Sequence, residues 1–589
     1  VGRESRIRRS LQLKDPAFWA GLKVPELSSE GPELRKLCEQ IPKQAQTLAA
    51  KLRIPAVWIA FVGGTGTGKS TLYNAFCGRQ ISRTGVERPK TRGAVIYAHE
   101  ETGIEYRLPG FLGPVRRMET VAGTGCSGEA QGLTLALHRD PALESIVLMD
   151  TPDLDSLVEE HRESALEILR MADVVIFVAS QEKYADHILY SMLLCLRNWG
   201  TDLHFVLNKA DPPQGMDLAG LLAEVTESLD PEQTLLDRKQ CVALPFVPAG
   251  HGAQAGGAHQ EFAAGVCRMY AAGLGIERRR TEQHRAWTHL KADLERAQEI
   301  AAGEKEEITA WEGRLQEIFT ECVHRLLQRE EARFQAGQRR AVQEEIRNVF
   351  GKYDFLAGPR RVIGTCLRLP LRLAGLSGVS SRGREKDLDR AKHKGDAGPV
   401  QEAVDAFNAQ VLKRCAPKDQ SSPAARALRR PELALTPEDV ESRFMAVQDR
   451  MASWLNARFE RMAREAPRGK AWGIYSTSAL WGALIVSFET VVGGGLSLVE
   501  VVIDSAIAPY VTKGAVELFA YQELRSITRE LSDRLEQGIT DIVQEQKDRY
   551  VQAMRDLGPD APALEVVREL AGWTEKDATA ALSTGPEHR

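Results

Sequence analysis

Residues 63–70 read Gly63-Gly64-Thr65-Gly66-Thr67-Gly68-Lys69-Ser70, the pattern G-x-x-x-x-G-K-[ST]. The apolar run Val57 to Val62 comes before it, and Ser70 to Phe76 reads as a helix after it. That placement between strand and helix decides the fold, because it turns a short pattern into a phosphate cradle. The glycines let successive backbone N–H groups curve round an anion, and the helix N-terminus adds the positive end of its dipole. Lys69 is expected to reach the phosphate oxygens and Ser70 to ligate Mg2+, with Thr71 beside them in the nucleotide-binding set.

Working outward, short apolar runs recur at 56–64, 94–100, 133–138, 145–150, 172–180 and 203–209, several alternating with helix-like segments. The alternation predicts an α/β domain over 50–275, a mostly parallel sheet with helices on both faces. Ahead of it, 1–49 read as a basic arm and a helix that begins at Glu33, continues to Arg53 and is closed by Pro55. Beyond Glu277 strand patterns stop. Long charged-and-apolar periodicity covers 280–350 and roughly 514–553, and Thr436-Pro437-Glu438-Asp439 is a helix-start signal. Segments 377–400 and 415–435, rich in Ser, Gly, Pro and charge, read as loops. The expectation for 276–589 is a large all-α bundle or stalk.

Three further stretches bear on the ligand. Leu203 to Leu207 is an apolar strand that ends in Asn208-Lys209-Ala210-Asp211, an N-K-x-D pattern. A carboxylate at Asp211 can accept hydrogen bonds from the N1–H and exocyclic amine of guanine, a donor pair that adenine lacks, so GTP is expected over ATP and GDP as product. Asp150 ends its strand where a carboxylate holds Mg2+ through water. Between the phosphate loop and Asp150, Arg88-Pro89-Lys90-Thr91-Arg92-Gly93 is the switch segment, and Thr91 is the choice for a second hydroxyl on Mg2+, with Thr84 as competitor. The expected catalytic set is Lys69, Thr91 and Asp150. Ala249, within 246–250, is the expected last base contact.

Asp150-Thr151-Pro152-Asp153 then departs from a common pattern, since Asp153 stands where Gly usually brings a backbone N–H to the terminal phosphate. Asp153 still offers that N–H, with a narrower conformational range. Leu154 stands where many small GTPases place a water-orienting Gln. Together, the phosphate loop, RPKTRG, DTPDLDS, the stretch 172–186 and NKAD resemble bacterial translation-factor-class P-loop GTPases of the Era-like and dynamin-like kind, over roughly 55–250. The resemblance is to members with D-T-P-D in this switch. It implies Mg2+-dependent GTP hydrolysis that is slow until self-association or a partner completes the site. Thr91 would position the water, and Arg83, Arg88, Arg92 or a second G domain would supply the missing basic group, so a homodimer through G domains is an expected partner.

A net charge of −4 argues against wholesale nucleic-acid binding, which requires a basic face. Nine scattered cysteines without a C-x-x-C pair read as reduced thiols rather than a disulfide framework. The first thirty residues hold no apolar core of signal-peptide length. Because the chain opens on Val1, its natural start is expected upstream. A cytoplasmic location follows, with peripheral placement at the inner face of the cell membrane as its membrane-side form. Two segments bear on that form. Residues 355–384 contain six Arg and no acid, and Arg361, Arg368 and Arg372 share one helical face, a pattern for anionic lipid that Pro370 interrupts. Residues 473–511 are strongly apolar, but Glu489, Glu500 and Asp504 and a central triple glycine favour a hairpin buried in the helical domain. The leading expectation is a GTP hydrolase that couples nucleotide state to self-assembly or membrane engagement. A slow nucleotide-switched scaffold for a protein partner is the first alternative. A ribosome- or RNA-associated GTPase is the second.

Overall fold

The computed structural model describes residues 3–82, 94–118, 133–152, 168–181, 187–199, 201–232, 234–246, 257–333, 336–351, 381–392, 395–465, 473–493 and 518–583. The chain forms two compact units. One comprises Val1–Lys23, Pro32–Ala302 and Pro559–Arg589; the other comprises Val24–Gly31 and Gly303–Gly558.

The first unit is built on eight strands: β1 Val57–Gly63, β2 Val95–His99, β3 Val115–Arg117, β4 Leu133–His138, β5 Ile146–Asp150, β6 Val174–Ser180, β7 Asp202–Ala210 and β8 Cys241–Pro245. Their order across the sheet is β3-β4-β2-β5-β1-β6-β7-β8. Every pairing is parallel except β2 with β5. The six expected apolar runs are all strands. β3 and β8 join them at the sheet edges, where three residues, or five ending in Pro245, carry too little pattern to read.

Helices cover both faces because the central strands are buried on both. Along β1, Trp58, Ala60 and Val62 pack with Leu193 and Leu196 of helix His187–Asn198 and Leu221 and Val225 of helix Leu218–Leu229. The alternate residues Val57, Ile59 and Phe61 pack with Leu72 and Phe76 of helix Lys69–Cys77 and Val266 and Tyr270 of helix Gly257–Ala271. The helix after β1 thus lies on one face and the helix after β6 on the other. β1 and β6 are neighbours, so the crevice between their carboxyl ends is a topological switch point, where α/β sheets place ligands. On the same unit, Arg6 pairs with Asp577 at 3.0 Å and Arg9 with Glu569 at 2.6 Å, which ties helix Arg3–Lys14 to the helices near the end of the chain.

The second unit is helical among its described residues. Its larger core gathers Val447, Leu455, Leu484, Phe488, Leu531 and Ile539 from helices Pro437–Glu465, Gly473–Val492 and Leu518–Arg555. The start signal at Thr436 forms as a reciprocal cap. Thr436 N–H donates to the Asp439 carboxylate at 3.2 Å, and Asp439 N–H donates to Thr436 Oγ1 at 3.1 Å. Segment 377–400 departs from its reading as a loop, since Ser381–Lys392 is a helix. Its apolar contribution is only Leu388 and Ala391, both buried, and Arg384 ties it down through Asn456 and Glu460, each at 2.9 Å. So few apolar positions leave no readable period.

Of the two segments with a membrane expectation, 355–384 lies almost wholly outside the described residues. From the other, Trp481, Leu484, Phe488 and Val491 sit in the helical core at 2% exposure or less, and 494–511 fall outside. Among the described residues no helix is long and apolar enough to cross a membrane.

Candidate nucleotide site

The phosphate loop leaves β1 at Gly63 and enters helix Lys69–Cys77 through Gly68. Gly66 and Gly68 hold φ of 83° and 89°, the left-handed region where a side chain is strained. A Cβ on Gly63 would stand 2.4 Å from the Val178 carbonyl oxygen of β6, so the loop can lie against its neighbour strand only as glycine. Thr67 Oγ1 donates to the Gly64 carbonyl at 2.9 Å and tightens the turn. The N-cap residue of the helix that follows is Gly68, which has no side chain to bond its first N–H groups. Thr65, Ser70 and Thr71 are half-buried, Gly64 buried and Gly66 exposed.

Asp150, at the end of β5, is fully buried and collects three side chains. Lys69 Nζ meets its Oδ1 at 2.6 Å, and Ser70 Oγ and Ser82 Oγ donate to its Oδ2 at 2.8 and 2.7 Å. Lys69 also donates to the Thr151 carbonyl. Thr151 in turn donates from its N–H and Oγ1 to the Phe61 carbonyl at 3.3 and 2.8 Å, which fixes the strand end. The sequence reading brought Lys69, Ser70 and Asp150 together but missed Ser82. A lone serine has no spacing signal; what places it is Asn74, whose amide oxygen accepts from the N–H of Ile81 and Ser82 at 2.9 and 2.8 Å.

The N-K-x-D stretch closes on the same loop. Asn208 Nδ2 donates to the Thr67 carbonyl at 2.9 Å and Lys209 Nζ to the Gly66 carbonyl at 2.7 Å. Lys209 does so with φ at 56°, an uncommon angle for a residue with a Cβ. Asp211 follows β7, exposed, and its N–H donates to Gln181 Oε1 at 3.1 Å. His259, unremarked in the sequence, stands behind Asn208 at 3.0 Å from its amide oxygen. Burial pushes the His259 imidazole below its ordinary range, so it is neutral near pH 7. Burial also raises the Tyr73 phenol and the Cys77 thiol well above theirs, so neither ionises beneath the loop.

Thr91, Asp153 and Ala249 fall outside the described residues, as do Leu154, Thr84, Arg83, Arg88 and Arg92. The donors that are described fit Mg2+ in kind: a carboxylate and hydroxyls, hard oxygen ligands on one short stretch of loop and strand, with water to complete the shell.

Residues 58–209 match the family described as "50S ribosome-binding GTPase". Among curated proteins, the "Probable transmembrane GTPase FZO-like, chloroplastic" of Arabidopsis thaliana is 23% identical over 153 residues, 26% of this chain and 15% of that protein. The "Uncharacterized protein in xynA 3'region" of Caldicellulosiruptor sp. (strain Rt8B.4) is 24% identical over 185 residues, 29% of this chain and 45% of that one. The chain therefore spans less than half the length of either relative. Among solved structures, one described as "An oligomerised bacterial dynamin pair provides a mechanism for the long-range sensing and tethering of membranes" aligns over 99% of this chain and 83% of its own, at 14% identity and a TM-score of 0.27. "LeoA bacterial dynamin GTPase from ETEC" aligns over 94% and 98%, at 13% identity and a TM-score of 0.22. The sheet unit carries a P-loop GTPase domain, and the family match covers about a quarter of the chain.

Proposed function

We propose that the chain binds GTP with Mg2+ at the phosphate loop and hydrolyses it to GDP and phosphate. The observation that carries this is the convergence of Lys69, Ser70 and Asp150 at one strand end, with Asn208 and Lys209 hydrogen-bonded to the same loop. Gly64 to Gly68 and the first helical N–H groups receive the β-phosphate, and Lys69 exchanges Asp150 for phosphate oxygens. Asp211 reads the guanine edge. Ser70 and Asp150 would hold Mg2+, which when bound spreads the charge on the phosphate oxygens. Thr91 and the backbone N–H of Asp153 complete the switch side of the proposal.

The two readings of hydrolysis and simple switching divide on turnover. Hydrolysis is favoured because Lys69 and Asp150, the charges phosphoryl transfer needs in place, are both present and buried at the loop. Turnover is proposed to be slow in the isolated chain, since Leu154 cannot orient water, and to rise when two G domains meet. Coupling of nucleotide state to self-assembly or to an anionic membrane surface is the outer part of the proposal. It is supported by the arginines of 355–384, by the helical unit that follows the sheet, and by a curated relative described as a transmembrane GTPase.

Titration with fluorescent GTP analogue tests the binding step. Unlabelled GTP and GDP are expected to displace the probe at least tenfold more effectively than ATP. Lys69→Ala is expected to weaken binding at least tenfold, in line with loss of a charge-assisted contact. Equal displacement by ATP would overturn the guanine assignment.

A further inference from the structure

We infer that His259 is a positioning residue for nucleotide: it orients Asn208 so that the guanine reader stays clamped to the phosphate loop. The inference rests on the proposed GTP site and adds a residue to it. The geometry orders the hydrogens. Asn208 Nδ2 faces the Thr67 carbonyl at 2.9 Å, an acceptor only, so the amide nitrogen must lie there. Asn208 Oδ1 therefore faces His259 Nε2 at 3.0 Å, and His259 must carry its proton on Nε2. Its Nδ1 is then bare, and among the described residues Nδ1 is buried without a partner.

Both side chains are buried, Asn208 at 3% exposure and His259 at 2%. Losing the donor would leave a buried amide oxygen unsatisfied and free the amide to turn over. Turned over, it would set its oxygen against the Thr67 carbonyl oxygen and open the clamp. There is little room for another arrangement, since a Cβ on Gly68 would stand 2.2 Å from Asn208 Nδ2. The basicity of His259, depressed by burial, agrees: among the described residues a second N–H at Nδ1 would have no acceptor. His259 lies in the first turn of helix Gly257–Ala271, so the clamp ties that helix to the loop at β1 through the end of β7.

The test is the release rate of a fluorescent GDP from wild type, His259→Leu and His259→Gln, and from each in an Asn208→Ala background. His259→Leu is expected to release GDP about tenfold faster, the size of one buried hydrogen bond. His259→Gln, whose amide can donate to Asn208 Oδ1, is expected to stay within about threefold of wild type on the same scale. In the Asn208→Ala background the leucine change is expected to add nothing. Release from His259→Leu at the wild-type rate would overturn the inference. So would equal damage by Gln and Leu with a matching loss of melting temperature in nucleotide-free protein, because that is the mark of a packing role. A wild-type chain that binds no labelled GDP would instead count against the site itself.

Discussion

At the scale of single residues, the buried charges and imidazoles are where pH should act. His99 and His138 are opposite residues of β2 and β4, with rings edge to face at 5.4 Å. Tyr97 stacks on His138 at 4.3 Å, and Arg79 covers Tyr97 at 5.1 Å. Burial first, then His99 and Arg79, push the His138 imidazole down to about 4, while Asp140 pulls the other way. The unfolded chain, at an ordinary histidine pKa of about 6.5, takes up the proton sooner than the folded one. Stability from this site is therefore complete above that value and drains away as pH falls toward 4. Melting curves from pH 7 to 4 should show wild type losing more melting temperature than His138→Gln; equal losses would remove the assignment. What was readable in the sequence at this scale follows the same chemistry. Phosphate loop and N-K-x-D residues are legible because several residue types must recur at fixed spacing. Ser82 and His259 are single residues, one placed by Asn74 eight positions before it and the other by Asn208 from a different element, and no residue-type pattern marks either.

At the scale of elements, six strands were legible because parallel central strands are apolar on both faces. β3 and β8 were not, since edge strands of three and five residues need little apolar surface. The helix Gly473–Val492 is the element whose environment matters most to the membrane question. From Trp481 onward it is packed nearly all round in the helical core, with Ser487 and Thr490 bonding to their own helix at 2.8 and 2.6 Å. An apolar helix whose Ser and Thr bond to their own backbone suits a core or lipid, and in the sequence it is Glu489, with Glu500 and Asp504 beyond it, that favours the core. The packing makes the same choice for this conformation. Phe488, with no exposed surface, is expected to cost roughly 3–5 kcal/mol when changed to Ala. Chemical denaturation of the nucleotide-free chain measures that, and a loss under about 1 kcal/mol would mean the ring is not held in the core described here.

At the scale of the whole molecule, two units divide the chain, and the division is only partly local. The unit of the sheet takes in residues 1–23 and 559–589, joined by ion pairs such as Arg9 with Glu569. A pairing across 560 positions leaves no trace in a reading of neighbouring residues. In the other unit, Glu304 is fully buried and accepts from Leu27 and Ser28 N–H at 3.0 and 2.9 Å, anchoring an early segment in a later core. The chemistry proposed for the first unit needs little of this to be tested. Lys69 and Asp150 stand paired out of water; in the proposal they exchange partners when a phosphate and Mg2+ arrive, and the water orientation that a leucine at 154 cannot give comes from a second surface. Single-turnover phosphate release from GTP, wild type against Lys69→Ala, with Mg2+ and at two protein concentrations, bears on that claim most directly. Release is expected to depend on Mg2+, to rise with wild-type concentration and to fall at least a hundredfold in Lys69→Ala, the scale of a lost electrostatic contact to a transferring phosphoryl group. Equal release from the two proteins, or none from wild type at either concentration, would contradict the proposal.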